Sequence, residues 1–186
     1  MNIPTEDGQL SLEGRIRAWA QRRKIPEAHL EKWLMLDEPA RLRLLELAER
    51  LRFRTGQFVT MFTLLEEVSI RDRQSIADTL AQPAVGRIVK TADSGPGKAR
   101  ALVEEIRKLR YPRLHRLSER LATELVELGM PQGIKVVLPR DLASAELRIE
   151  IVAQGSEEIV RLLAMLTTKT ADLSRIAAIL AGSDEV

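Results

Sequence analysis

The sequence contains no cysteine, which excludes disulfide bonds, thiol catalysis and the common cysteine-ligated zinc sites. Aromatic residues make up only 3% of the chain, although hydrophobic residues reach 45%. We therefore expect a core of leucine, isoleucine, valine and alanine, which suits helices that pack through aliphatic stripes.

Targeting and membrane signals are absent as well. No apolar run approaches the roughly 20 residues of a membrane-spanning helix. The first residues, MNIPTEDGQ, lack the basic start and the apolar core of a signal peptide. We therefore expect a cytoplasmic protein with no membrane partner.

What the chain has in quantity is charge, which is carried by 30% of its residues with a net value of +2. The two signs are unevenly distributed. Residues 121–186 contain six basic and ten acidic residues, whereas residues 1–120 contain 23 basic and 17 acidic residues. This asymmetry indicates an anionic partner for the first part of the chain.

The spacing of apolar residues predicts a mainly α-helical fold with one late antiparallel β-hairpin. Apolar residues recur at spacings of three and four as far as Leu128, and Gly129 ends that helix. From Gly133 the pattern alternates over 133–138 and again over 146–153, as in two strands of a hairpin. Ser156 and Thr170 then begin two further helices.

The clearest break in the chain is TADSGPG, and we place a linker at 93–97. The linker separates a multi-helix part, 1–92, from an α+β part, 98–186, in the order helix-helix-hairpin-helix-helix. Within the first part, Asp37 begins a helix that we expect to end at Thr55-Gly56. The aromatic side chains of this part lie at apolar helical positions and are predicted to be core.

Signals for catalysis are weak, and we predict a non-enzymatic protein without a metal or other cofactor. SGPGKAR resembles a phosphate-binding loop, but Ala92 replaces its first glycine and Ala99 its hydroxyl residue. His29 and His115, the two histidines, have no second ligand at metal-binding spacing.

The candidate binding site is a basic stretch in which residues 98–120 carry a net charge of +5. After Pro112, Arg113, Arg116 and Arg120 share one sector of a helix, opposite its leucine stripe. Arginines on one face suit a phosphate backbone, because their charge and their multiple donors both contribute. A solvated helix face is the other interpretation. The candidate nucleic-acid-binding residues are Lys98, Arg100, Arg107, Lys108, Arg110, Arg113, Arg116 and Arg120.

Two topologies fit the residues after the linker. Two helices joined by the corner Arg110-Tyr111-Pro112 and followed by a hairpin have the order of a winged helix-turn-helix, whose second helix enters the major groove. An α+β mini-domain with the hairpin packed on the last helices fits equally well.

Residues 47–83, LAERLRFRTGQFVTMFTLLEEVSIRDRQSIADTLAQP, resemble the helical region of ParB-like proteins. The matching features are the helix ending in Arg52 and Arg54, the break at Thr55-Gly56, and LLEEVSIRD followed by SIADTL. The resemblance implies DNA binding, often as a dimer. The nuclease-like amino-terminal domain and the nucleotide-binding box of that family have no counterpart here, so nucleotide binding is not implied.

These observations predict a DNA-associated accessory or regulatory protein that binds phosphates through basic helices. The alternative is a protein-interaction or self-association module without a nucleic-acid role, in which the aliphatic helices bind a partner or a second copy.

Overall fold

The computed structural model describes residues 11–90, 96–139, 142 and 144–182. Within this part of the chain it contains ten helices and two strands. In chain order they are α1 (Leu12–Arg23), α2 (Glu27–Met35), α3 (Glu38–Leu51), α4 (Thr55–Asp72), α5 (Ile76–Ala81), α6 (Pro83–Lys90), α7 (Pro96–Arg110), α8 (Pro112–Leu128), β1 (Ile134–Val137), β2 (Arg148–Ile151), α9 (Ser156–Thr168) and α10 (Thr170–Leu180). The predicted fold class, mainly helical with one late antiparallel hairpin, is confirmed.

Contacts divide the chain into two compact units, Met1–Arg110 and Tyr111–Val186. Residues 93–95 of the linker predicted from the sequence lie outside the described part. Helix α7, which the sequence assigned to the second part, groups with the first unit. The reason is its apolar face, because Leu102 and Ile106 are fully buried in the core of that unit.

The first unit is built around a cluster of aromatic rings. Trp33 lies 5.8 Å from Trp19 and 5.0 Å from Phe58, measured between ring centroids. Phe53 and Phe62 lie 6.0 and 6.2 Å from the same Phe58 ring. All five side chains are at most 4% exposed, so the prediction that they are core residues is confirmed.

Two helix ends in this unit differ from the ordinary glycine stop. Helix α3 ends at Leu51, four residues before the predicted Thr55-Gly56, which instead form the first turn of α4. Arg52 takes the left-handed conformation, with φ 48°, that commonly ends a helix. Lys24 does the same after α1, with φ 53°. Glycine fits this conformation best, so an arginine there gives no sequence signal for a helix end.

The second unit is an α+β arrangement. Strands β1 and β2 pair antiparallel, with Ile134 opposite Ile151 and Val136 opposite Ile149. Apolar side chains of the hairpin, including Val136 and Ile149, pack against a buried cluster contributed by α8 and α10. This packing favours the α+β mini-domain over the winged helix-turn-helix, which would also need α7 in the same unit.

None of the described helices combines the length and the apolar character that a helix needs to span a bilayer.

Candidate nucleic-acid interface

Most of the predicted cations on α7 are already engaged within the first unit. Lys98 is only 9% exposed. Arg107 contacts the Glu104 carboxylate at 2.8 Å, and Lys108 contacts that of Glu105 at 3.3 Å. Arg100 differs, because it is exposed and has no ion pair in the described part of the chain.

Arg110, the last residue of α7, also serves the packing of the first unit. Its Nε donates to a carboxylate oxygen of Glu67 on α4 at 2.6 Å. Its carbonyl oxygen accepts a hydrogen bond of 2.8 Å from Arg71 at the end of the same helix. The α7 face that looks most basic in the sequence is therefore largely neutralised by neighbouring carboxylates.

The remaining predicted cations lie on α8 in the second unit. Arg113, Arg116 and Arg120 are all exposed. Contrary to the prediction, their sector does not lie opposite the leucine stripe, because Arg113 and Arg120 line one cleft together with Leu114 and Leu117. For Arg113 and Arg116 the described residues provide no ion pair. Since Arg110 and Arg113 belong to different units, the predicted stretch is two groups of residues, one on α7 and one on α8.

A second group of cations, which the sequence analysis did not single out, lies within the first unit. We call it the α1/α3 basic surface. Five of its six side chains are exposed and that of Arg23 is half-buried. None of them forms an ion pair with a described residue. Its members are Arg22, Arg23, Lys24, Arg50, Arg52 and Arg54.

The fold brings these cations together from two separate segments of the chain. The Thr55 hydroxyl, at the start of α4, donates to the carbonyl oxygen of Arg23 at 2.6 Å. This bond fixes the end of α1 beside the turn that carries Arg52 and Arg54. Arg15 on α1 holds the Glu49 carboxylate of α3 at 2.9 Å, so the acidic residue nearest in sequence already has a cation of its own.

A cleft of about 420 Å³ opens within this surface and is lined by Trp19, Arg22, Arg23 and Glu49. Trp19 is 4% exposed and belongs to the aromatic core, so it gives the cleft a rigid wall. Arg22 and Arg23 bring guanidinium donors to this cleft, which suit phosphate oxygens, and the Glu49 carboxylate in its lining is paired with Arg15.

Helix dipoles act differently at different points of the α1/α3 basic surface. Lys24 and Arg52 follow helix C-termini, where a cation is electrostatically favourable. Arg54 occupies the N-cap of α4 and its side chain makes no capping hydrogen bond. A helix N-terminus carries partial positive charge, so a cation there is unfavourable and an anion favourable. The arrangement around Arg54 is thus better suited to a bound anion than to the free protein.

Sequence reasoning missed this surface because its members look like ordinary helix ends. Glu27 lies three residues after Lys24, and Glu46 and Glu49 precede Arg50 and Arg52 by four and three residues, so the sequence gives no sign that these cations lack ion pairs. Counting carboxylates three and four residues away therefore does not separate these segments from α7.

Within the described part of the chain, the residues considered for metal or nucleotide chemistry do not come together in one site. His29 lies against the Phe62 ring, with the centroids 6.3 Å apart, and His115 contacts Glu119 at 3.4 Å. Among the described residues, no group of three or more His, Asp or Glu side chains could hold a metal ion. Residues 94 and 95 of the loop-like SGPGKAR lie outside the described part, and Ala99 is fully buried in α7.

No protein-family model matches this chain, and neither a curated protein nor a solved structure matches it at a significant level.

Proposed function

We propose that the chain is a non-enzymatic, DNA-associated accessory protein that grips phosphates through its basic helices, chiefly through the α1/α3 basic surface. The observation that carries this proposal is the gathering of six cations, from two separate segments, without an ion pair to any described carboxylate. Like charges held close together repel one another in the free protein, and a phosphate backbone relieves that repulsion.

The resemblance to ParB-like proteins also supports a nucleic-acid partner. The segment that resembles ParB-like proteins begins at residue 47 and includes Arg52 and Arg54, which lie in this surface. Contacts to phosphates carry no sequence information by themselves, so the proposal concerns the DNA backbone and not a particular site. Phosphate binding by the α8 arginines remains a prediction from the sequence, and the same experiment tests it.

The experiment is a salt titration of duplex binding, followed by fluorescence anisotropy of a labelled duplex. The variant R22Q/R52Q/R54Q removes three cations of the α1/α3 basic surface. We expect the slope of log affinity against log salt to become shallower by about 0.9 for each phosphate that the variant no longer neutralises. The variant R113Q/R116Q/R120Q tests the α8 arginines in the same way.

The matched control removes the same charge from positions that already have partners. R17Q/R43Q/R161Q takes away three exposed arginines that contact Glu13, Glu46 and Glu158, and we expect the wild-type slope. An equally shallow slope in this control would mean that the change in slope reflects the net charge of the protein and not the α1/α3 basic surface. A wild-type chain that binds no duplex at about 50 mM salt, where screening is weak, would refute the proposal.

A second candidate function, self-association without a nucleic-acid role, rests on α9. This helix exposes 43% of Ile159, 66% of Val160 and 46% of Leu163 while only Leu162 is fully buried. Apolar chains on one exposed face are typical of protein contacts. Sedimentation velocity of the wild type and of V160E/L163E tests it: a dimer that the double variant abolishes supports this function, and a monomeric wild type contradicts it.

A further inference from the structure

A small cleft in the second unit lies between the first half of α8 and the end of α10. Its volume is about 160 Å³. The helix α8 provides one wall and the last turn of α10 the other. The lining residues are Arg113, Leu114, Leu117, Arg120, Ile179, Leu180 and Gly182.

The floor of this cleft is apolar and stays accessible. Leu114 is 42% exposed and Leu117 is half-buried, whereas Ile179 and Leu180 are at most 7% exposed. Small-molecule and cofactor sites have volumes of about 300–1,000 Å³, so this cleft is too small for such a ligand. Its size suits one apolar side chain that inserts from outside, as anchor residues do at protein interfaces.

The rim of the cleft is basic. Arg113 and Arg120 are seven residues apart on one helix, which places them about 10.5 Å apart along its axis. Arg116 lies between them on the same sector of α8. Arg113 and Arg116 are exposed and have no ion pair in the described part of the chain. Two cations of this sector, Arg113 and Arg120, line the cleft beside its apolar floor, and Arg116 lies between them along the helix.

We propose that this cleft docks an acidic peptide segment of a protein partner, which inserts one apolar side chain between α8 and α10 and places carboxylates against the arginines. Charge complementarity selects this occupant. A phosphate backbone would satisfy the arginines but has no apolar group for Leu114 and Leu117. Peptides that bind grooves in this way combine apolar anchors with flanking charges that set specificity.

The inference does not depend on the proposed function. It concerns α8 and α10 in the second unit, whereas the α1/α3 basic surface belongs to the first unit. Loss of duplex binding in R22Q/R52Q/R54Q and loss of peptide binding in L114Q, which removes no arginine, are separate results.

The test is an NMR titration of the full, isotope-labelled chain with a synthetic peptide in which one leucine is flanked on both sides by glutamates. Methyl signals of Leu114, Leu117 and Ile179 report on the cleft and detect weak binding. Two matched peptides replace the glutamates by glutamine or the leucine by alanine. A short DNA duplex is titrated in parallel.

We expect the leucine–glutamate peptide to shift the cleft methyl signals in a saturable way, and both matched peptides to bind at least about tenfold more weakly. R113Q/R116Q should weaken binding by a similar factor. So should L114Q, which alters a side chain already 42% exposed. The control R148Q/R161Q removes two arginines of the same unit that contact Glu150 and Glu158 and should leave peptide affinity unchanged.

Three results would overturn the proposal. One is the absence of methyl shifts at millimolar peptide concentration. Another is equal binding of the glutamine or the alanine peptide, which would mean that the carboxylates or the leucine, respectively, do not contribute to binding. The last is a duplex that shifts the cleft signals while the peptide does not, which would make α8 a nucleic-acid surface.

Discussion

In the first unit the aromatic rings of Trp19, Trp33 and Phe58 pack together at the centre, and cations from α1 and α3 gather at the surface. The second unit contains one aromatic residue, Tyr111, which is 37% exposed. Its buried cluster is aliphatic and small, and its helix α9 leaves apolar side chains exposed. Exposed large apolar side chains are more frequent in the second unit, although the first also exposes Met35, Leu42 and Ile70 among its described residues.

The same contrast applies to the arginines. On α7, Arg107 and Lys108 each contact a carboxylate three residues earlier in the helix, and each of these pairs cancels charge locally. At the ends of α1 and α3 the cations have no such partners among the described residues. Arginine density along a sequence is therefore a poor measure of the positive charge that a surface presents.

The largest expected effect is a loss of stability in the first unit alone, which tests whether the two cores unfold independently. Phe58 packs against four other rings, so we expect Phe58→Ala to reduce the free energy of unfolding by about 3–5 kcal/mol. Both tryptophans lie in the first unit, so the tryptophan fluorescence during urea denaturation reports on that unit. The midpoint should fall strongly for Phe58→Ala.

Leu121→Ala in the second unit is the counterpart of this variant. It should lower stability when followed by far-UV circular dichroism while the tryptophan transition keeps its midpoint. If both variants shifted the tryptophan transition equally, the division into two units would not describe the energetics.

A smaller effect concerns the glycine that begins the hairpin. Gly133 has φ +100°, and a Cβ atom there would lie 2.9 Å from the Val152 carbonyl oxygen and 3.0 Å from Leu162 Cδ1. We expect Gly133→Ala to cost about 1–3 kcal/mol through backbone strain and this clash. Thermal unfolding followed by circular dichroism measures it.

Gly86 provides the matched control in the first unit. It lies within α6, and a Cβ atom there would meet nothing within 4 Å. Gly86→Ala should therefore stabilise the helix by up to about 1 kcal/mol. Destabilisation by both alanines to the same extent would contradict the assigned role of Gly133.

A third prediction separates charge from stability at the α1/α3 basic surface. Lys24 and Arg52 occupy left-handed positions that glycine adopts without strain. Replacing both by glycine removes the strain and also the favourable interaction with the helix C-termini, so we expect a stability change within about 1 kcal/mol. The duplex-binding slope should nevertheless become shallower by up to about 1.8. An unchanged slope would exclude these two residues from phosphate contact.

Features that depend on neighbouring residues could be predicted from the sequence, whereas features that depend on tertiary contacts could not. The hairpin was predictable, because alternation from Gly133 and a proline-glycine-rich approach are local patterns. The end of α3 was not, because Arg52 adopts the conformation that glycine usually marks. The α1/α3 basic surface was not predictable either, since it depends on the tertiary bond between Thr55 and Arg23, which joins segments 32 residues apart.

The smallest expected effect lies where α4 and α7 end together in the first unit. Arg71 donates to both carboxylate oxygens of Asp72, at 2.6 and 2.7 Å, and to the Arg110 carbonyl oxygen. Hydrogen bonding by Arg71 lowers the pKa of Asp72 below its ordinary value. A carboxylate with a lowered pKa stabilises the folded state at neutral pH, and this contribution is lost as the pH falls through the folded-state pKa.

We therefore expect Asp72→Asn to lower the melting temperature slightly at pH 7, and the difference from wild type to disappear in strong acid, where the wild-type carboxyl is protonated as well. Melting curves from pH 7 into strong acid, down to about pH 1, measure it. Glu46→Gln is the control, since the Glu46 carboxylate lies 3.9 Å from Arg43 and such exposed pairs contribute little. A melting-temperature difference for Asp72→Asn that persisted unchanged in acid would mean that the carboxylate charge does not stabilise this helix end.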